Sequence, residues 1–309
     1  MNKPEVWTLE ELVTFDFKNA AIWTFPFLRH KVEKRLSLPI IEDNEEPGRD
    51  LDTLIVIGGG VLIDRAKVWR KENRPEMRLI AIPSIWGSGA ENSPIAILNE
   101  GDKKKIQMGI EFLPDVRVIW AELAEGLPAD LVKYACGDVW AHALEGFLSP
   151  IANDEVRSEL ADVIKSLEKL SLESNPMWFE LSARACAGQA KSSVGLVHGI
   201  AHTLEGLLKF KYPEEYIGHA QLCAVYLWPV FSLNMQHSDK VDRMFDLYKI
   251  DKGKVIEVIK QLFDEHIYDL GLPVLQENWR LILREPASRT NCVLVRPDYL
   301  SHFTLRGFK

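Results

Sequence analysis

The chain has 309 residues, 47% of them hydrophobic and 27% charged, which is ordinary for a folded protein and long enough for two domains. A net charge of −8 disfavours nucleic acid and anionic membrane as main partners, because both need a concentrated basic face. The opening MNKPEVWTLEEL has no apolar h-region, and the longest strongly apolar tract, residues 220–233, is too short for a bilayer and contains Pro229, so a cytoplasmic protein with no membrane partner is expected.

In chain order, residues 20–24 (AAIWT) form a short apolar, partly β-branched run, and HKVEKRL behind it reads as helix. Residues 51–57 (LDTLIVI) are a nearly continuous apolar run of the kind buried parallel strands show. They end in Gly58-Gly59-Gly60, and a helical pattern, VLIDRAKVWRKE, follows at once. Next come a predicted strand at residues 78–83, a polar Gly-containing loop (SIWGSGAENS), and strands at residues 94–98 and 116–120. The basic run Lys103-Lys104-Lys105 reads either as a solvated turn or as a phosphate contact. Strand–turn–helix alternation predicts a parallel sheet with crossover helices.

After Leu127-Pro128 the period changes. ADLVKYACGDVWAHALEGFL, DEVRSELADVIKSLEKL and WFELSARACAGQAKSSVGLVHGIAHTLEG all read as helical, as do much of residues 220–248 and 253–268. An α/β domain over residues 1–124 and an all-α domain over residues 125–309 are therefore expected. The cysteines, Cys136, Cys186, Cys223 and Cys292, are scattered with no CxxC, and reduced thiols are the plain reading.

Glycines between a strand and a helix let backbone approach a diphosphate, and the helix start offers N–H groups and a positive dipole end. Gly58, Gly59 and Gly60 stand there, and the loop at residues 84–93 ends the next strand, where ligands of open α/β sheets bind. A simple glycine turn is the alternative. Asp64, early in the helix, either steadies the loop or is an exposed acid that favours the helix dipole.

The helical half contains Asp138 and His142 four residues apart, then His198 and His202 at the same spacing, then His219 at a helix start. That spacing puts each pair on one helix face. Singly, each histidine is better read as a packed or surface residue. Jointly, one aspartate and four histidines in a region with few others predict a single site suited to Fe²⁺ or Zn²⁺. Beside a phosphate loop, it points to a nicotinamide-linked redox enzyme whose metal polarises an alcohol or carbonyl oxygen.

These motifs resemble those of the iron-containing (group III) alcohol dehydrogenases of the dehydroquinate synthase-like superfamily. IVIGGGVLIDRAK is similar to GGGSxxDxAK, IPSIWGSGAENS to IPTTAGTGSE, GDVWAHALEGFLS to DAxxHAxEAYxS, and GLVHGIAHTLEG to GxxHxxAHxxG with one extra residue before the last glycine. The resemblance implies a Rossmann-like dinucleotide-binding domain over residues 1–124, an all-α metal- and substrate-binding domain over residues 125–309, and a cleft between them. It matches Asp138, His142, His198 and His219 to the metal ligands and His202 to a proton-relay histidine. It matches Gly58, Gly59, Gly60 and Asp64 to the diphosphate segment, and Ser84, Ser88 and Lys105 to cofactor contacts.

There are departures from the pattern. Val61 stands for a serine, Ser84-Ile85 for a threonine pair, Trp86 for a small residue, and Gly218-His219-Ala220 for a PHG. Thr24-Phe25-Pro26 stands where an acid often selects NAD, which favours NADP(H) over NAD(H). The activity implied is reversible interconversion of a small alcohol and its aldehyde. A reductase of a charged aldehyde or polyol phosphate, using Lys209 and Lys211, and a catalytically degenerate member are the alternatives. Trp86, Trp140 and Phe147 either crowd the substrate or pack as core aromatics. A homodimer is the default assembly.

Overall fold

The computed structural model describes residues 3–100, 103–215 and 217–309. Contacts divide the chain into two units, Met1–Leu127 with Ser174–Ala183, and Pro128–Glu173 with Arg184–Lys309. A single boundary near residue 125 does not anticipate that a short piece of the helical half belongs to the first unit.

The first unit contains β1 (Glu5–Trp7), α1 (Leu9–Thr14), β2 (Ala20–Thr24), α2 (Arg29–Glu33), β3 (Ile40–Glu42), β4 (Thr53–Gly58), α3 (Gly60–Asn73), β5 (Arg78–Pro83), β6 (Ile95–Glu100), β7 (Lys103–Met108) and β8 (Val116–Val118). Six strands form a sheet in the order β1-β8-β5-β4-β2-β3, with every pairing parallel. From β2 the chain moves outward to β3 and then returns to the other side of β2 as β4. The strand order therefore reverses between β2 and β4, the position at which doubly wound sheets open a ligand crevice at their carboxyl ends.

The continuous apolar run in β4 follows from burial on both faces. Ile55 and Ile57 pack on one side with Ile22, Ile80, Val32 and Val116. Leu54 and Val56 pack on the other with Leu62, Ile63, Ala66 and Trp69. Covered parallel strands lack the alternation of half-exposed ones. β1 and β3 are three residues each and partly exposed, too short to leave a periodic signal.

The strand predicted at residues 94–98 does not join this sheet. It is β6, and it pairs antiparallel with β7 in a separate hairpin, Ile95 opposite Met108 and Leu98 opposite Lys105. Lys103-Lys104-Lys105 is thus strand, not turn. The hairpin is tied to α3 by polar bonds: Lys67 Nζ donates to the Ile95 carbonyl (2.7 Å) and the Ile97 N–H donates to Asp64 (3.0 Å).

The second unit is helical: α4 (Ala129–Leu148), α5 (Asp154–Leu167), α6 (Met177–Ser192, its first turns in the first unit), α7 (Leu196–Lys211), α8 (His219–His237), α9 (Lys240–Tyr248), α10 (Lys252–Gln261), α11 (Glu265–Ile282) and α12 (Leu300–Thr304). From Ala135 to Leu148 every residue of α4 is buried, as expected of a central helix packed on all sides, and that buried stretch carries Asp138, His142 and Glu145. The stretch WFELSARACAGQAKSSVGLVHGIAHTLEG is two helices, not one. It breaks at Ser193, which sits at φ 65° and shares a hydrogen bond with Thr290 Oγ1 (2.9 Å). No helix among the described residues is long and apolar enough to cross a membrane.

Candidate functional site

The helical unit assembles its ionisable core around one close helix contact. A Cβ built on Gly137 of α4 would lie 2.8 Å from Ala224 Cα of α8, a separation only glycine permits. Asp138 follows Gly137 and Cys223 precedes Ala224, so the contact brings their side chains together. One ligand atom from each of Asp138, His198, His219 and Cys223 lies within 4.8 Å of every other. Asp138 Oδ1 is 3.7 Å from His198 Nε2, and Cys223 Sγ is 3.6 Å from His219 Nε2. His142 stands beside this group, with Nδ1 3.8 Å from Asp138 Oδ1 and its ring 4.6 Å from that of His198.

The histidines are oriented by carboxylates. Glu145, two turns after Asp138 on α4, places Oε2 at 2.7 Å from His198 Nδ1. The same carboxylate accepts the Val197 N–H (2.6 Å), so it also caps α7, whose N-cap Gly195 has no side chain to do so. A carboxylate only accepts, so the Nδ1 proton is fixed there and Nε2 presents its lone pair. His202 Nδ1 is 3.1 Å from Glu285 Oε1, and its ring stacks on His219 at 5.3 Å. Burial pushes the Glu285 carboxyl up, but the His202 hydrogen bond and charge, with the Ala287 and Ser288 N–H groups, hold it below its usual range. His219 Nδ1 is 3.9 Å from Glu205.

These residues fit a divalent ion. Asp138 and His198 are each 2% exposed, and Asp138 Oδ1 and His198 Nε2 have no hydrogen-bond partner among the described residues. Buried polar atoms left so are costly, and an ion between them removes the penalty. The donors are oxygen, imidazole nitrogen and sulfur, the set that borderline first-row ions take.

In the first unit, Gly58 closes β4 opposite Pro83 of β5, and the Ser84 N–H donates to the Gly58 carbonyl (3.0 Å), which holds the two loops side by side. A Cβ on Gly60 would lie 2.8 Å from Ser88 Cβ, and one on Gly58 would lie 3.1 Å from the Phe25 ring. Gly59 is the N-cap of α3 with no side-chain cap and no acid in the first turn, leaving the helix start suited to an anion. Gly87 (φ 118°) and Gly89 (φ 57°) give the second loop backbone that other residues avoid.

Residues 44–120 match the family model for iron-containing alcohol dehydrogenases. The chain is 25% identical over 249 residues to the probable alcohol dehydrogenase EutG of Salmonella typhimurium, covering 69% of this chain and 60% of that protein. It is 26% identical over 265 residues to an alcohol dehydrogenase of Thermococcus barophilus, covering 73% and 65%. Both likenesses point to the iron-containing alcohol dehydrogenases. The chain spans about 60–65% of the length of these two relatives. The fold is that of an iron-containing alcohol dehydrogenase from Thermococcus thioreducens, which superposes with a TM-score of 0.77 at 19% identity, over 100% of this chain and 99% of that one.

Sequence expectation and structure differ at several positions. Asp64 is buried, not exposed, and its hydrogen bonds among the described residues run to Lys67 and Ile97. Oδ1 pairs with Lys67 Nζ (2.8 Å) and Oδ2 accepts the Ile97 N–H, so it holds α3 on the hairpin. Lys105 is a strand residue of β7. Lys209 and Lys211 end α7, and Lys209 is committed to Glu205 at 2.7 Å. Trp86 stacks on Trp178 and meets Phe179 edge-on in the first unit, while Trp140 and Phe147 are fully buried in the second. Sequence reasoning passed over Cys223, Glu145 and Glu285. The first two carried a signal, since Cys223 is four residues after His219 and Glu145 seven after Asp138, both on the ligand-bearing faces. Glu285 lies 83 residues from His202 and left none.

Proposed function

We propose that the chain is a metal-dependent, NAD(P)-linked alcohol dehydrogenase or aldehyde reductase acting on small alcohols and aldehydes. The observation that carries this reading is the pair of buried atoms, Asp138 Oδ1 and His198 Nε2, 3.7 Å apart and without hydrogen-bond partners among the described residues. Asp138, His142, His198 and His219 would hold Fe²⁺ or Zn²⁺, which supplies Lewis acidity toward an alcohol or carbonyl oxygen. A bound nicotinamide would supply or accept the hydride. Gly58, Gly59 and Gly60 receive the cofactor diphosphate at the start of α3, and Ser84 and Ser88 line it. His202, with Nδ1 set by Glu285, moves the hydroxyl proton to and from solvent at Nε2. NADP(H) is preferred, because Thr24-Phe25-Pro26 sets no carboxylate against a 2′-phosphate.

The test is oxidation of NADPH and NADH against a panel of short neutral and anionic aldehydes, with apo-protein reloaded separately with Fe²⁺ and Zn²⁺. Metal-dependent turnover of neutral aldehydes supports the reading. Turnover of anionic aldehydes alone replaces the substrate class. Nucleotide binding without any turnover overturns it.

A further inference from the structure

We propose that Cys223 is a thiolate ligand of the metal, and that this donor biases the centre toward Zn²⁺ over Fe²⁺. The inference rests on the metal reading above and gives it a sulfur donor in the place of His142, and an ion. Its first support is spacing. Donors at the corners of a tetrahedron, 2.0–2.3 Å from a zinc ion, stand roughly 3.5 Å apart. The observed separations are 3.6 Å between Cys223 Sγ and His219 Nε2, and 3.7 Å between Asp138 Oδ1 and His198 Nε2. Two pairs drawn from four residues of three helices already stand at ligand distance, and all four donors lie within 4.8 Å of one another.

The second support is independent of the cysteine. Asp138 Oδ1 and His198 Nε2 belong to side chains that are nearly wholly buried, and among the described residues neither atom has a hydrogen-bond partner. A ligand atom of each of these two residues lies within 4.8 Å of Cys223 Sγ. The third is helix geometry. Cys223 is one turn beyond His219 on α8, so the two share a face, and the Gly137–Ala224 contact seats that face against Asp138 of α4. The compact group contains Cys223 where the sequence motif would place His142.

The chemistry is simple coordination. The Sγ–H bond breaks, the sulfur lone pair goes to the metal and the proton to solvent, with no change of oxidation state. A soft sulfur donor suits Zn²⁺ better than it suits Fe²⁺ held by carboxylate and imidazole alone.

Co²⁺ is the probe. Apo-protein reloaded with Co²⁺ should show visible bands from bound metal and a near-ultraviolet sulfur-to-metal charge-transfer band. Cys223→Ser should lose the charge-transfer band, while Cys136→Ser and Cys186→Ser keep it. Zn²⁺ affinity of Cys223→Ser should fall at least about 10-fold, the lower end of the loss seen when even an outer-shell partner of a metal is removed, and Fe²⁺ affinity should fall less. Zinc-edge X-ray absorption of the wild-type protein needs no variant, and should show a sulfur scatterer at about 2.3 Å. Bound Co²⁺ without a charge-transfer band, or a band that survives Cys223→Ser, overturns the assignment and leaves the metal reading standing. Failure to bind Co²⁺ at all overturns both.

Discussion

Glu145 Oε2 lies 2.7 Å from His198 Nδ1, and the other oxygen of that carboxylate accepts the N–H of Val197. One side chain from α4 therefore starts α7 and fixes the tautomer of a candidate ligand on it. Glu145→Gln keeps the shape but offers a mixed donor and acceptor in place of a pure acceptor. Metal affinity should fall roughly 10- to 100-fold, as it does when an outer-shell carboxylate is lost. Equilibrium dialysis against a competing chelator measures this, and unchanged affinity would mean that Glu145 serves only as a cap.

Gly137→Ala tests the close contact of α4 and α8. The added methyl meets Ala224 Cα at 2.8 Å, and backbone there cannot move as a side chain can. Overpacking of this kind costs about 1–3 kcal/mol. The melting temperature and the bound-metal content should drop together. Gly253→Ala is the control: the new methyl faces only the Asp251 carboxylate at 3.3 Å on an exposed helix, so both properties should stay near wild type.

What was legible in the sequence is what the local chain decides. α4 matches the segment predicted from its spacing, because an unbroken helical period over that length has no competing reading. The parallel strands β4 and β5 were legible because covered strands are apolar without interruption. The break at Ser193 was not, because a left-handed serine is held there by Thr290, far along the chain. The β6–β7 hairpin was half legible: a run of lysines reads as a solvated turn or a phosphate contact when the pairing partner is unknown. The burial of Asp64 is not legible, because it depends on Lys67 and on the hairpin. The aspartate and histidines were recognised by their pattern, whereas Cys223, a single thiol in an apolar helix, reads as core until α4 is set against it.

Glu91 gives the first unit a pH dependence. It is 3% exposed, and burial pushes its carboxyl up to about 7, against smaller lowering from its own backbone N–H, Arg117 and Lys67. The folded state thus holds a proton that the unfolded chain releases near the ordinary glutamate value, so the number of protons bound is larger folded than unfolded across that interval. The contribution is fully present below the unfolded pKa and is lost as pH rises to about 7. Glu91→Gln should be more stable than wild type at pH 8, on the order of 3 kcal/mol, with the gap closing at pH 4.5. Urea denaturation of both proteins across this range measures it, and a gap independent of pH contradicts the assignment.

Phe25 follows β2 and lies against Gly58, so it sits at the glycine loop proposed to receive the cofactor diphosphate. Phe25→Asp should move the cofactor preference toward NADH. A carboxylate facing a 2′-phosphate disfavours it by about 10-fold or more in the ratio of kcat/KM values, a little over 1 kcal/mol. Steady-state kinetics with both cofactors test this, and an unchanged ratio would remove Phe25 from the recognition of the ribose.

The central claim is that the buried Asp138–His198 pair exists to hold a metal on which turnover depends. The most direct measurement pairs metal content with NADPH-linked aldehyde reduction in the wild-type protein and in His198→Ala, both with an intact fold by circular dichroism. Bound metal and turnover should be present in the wild type, lost together on chelation, restored together on reloading, and absent in His198→Ala. Turnover that persists in His198→Ala, or in wild-type protein stripped of metal, would contradict the account.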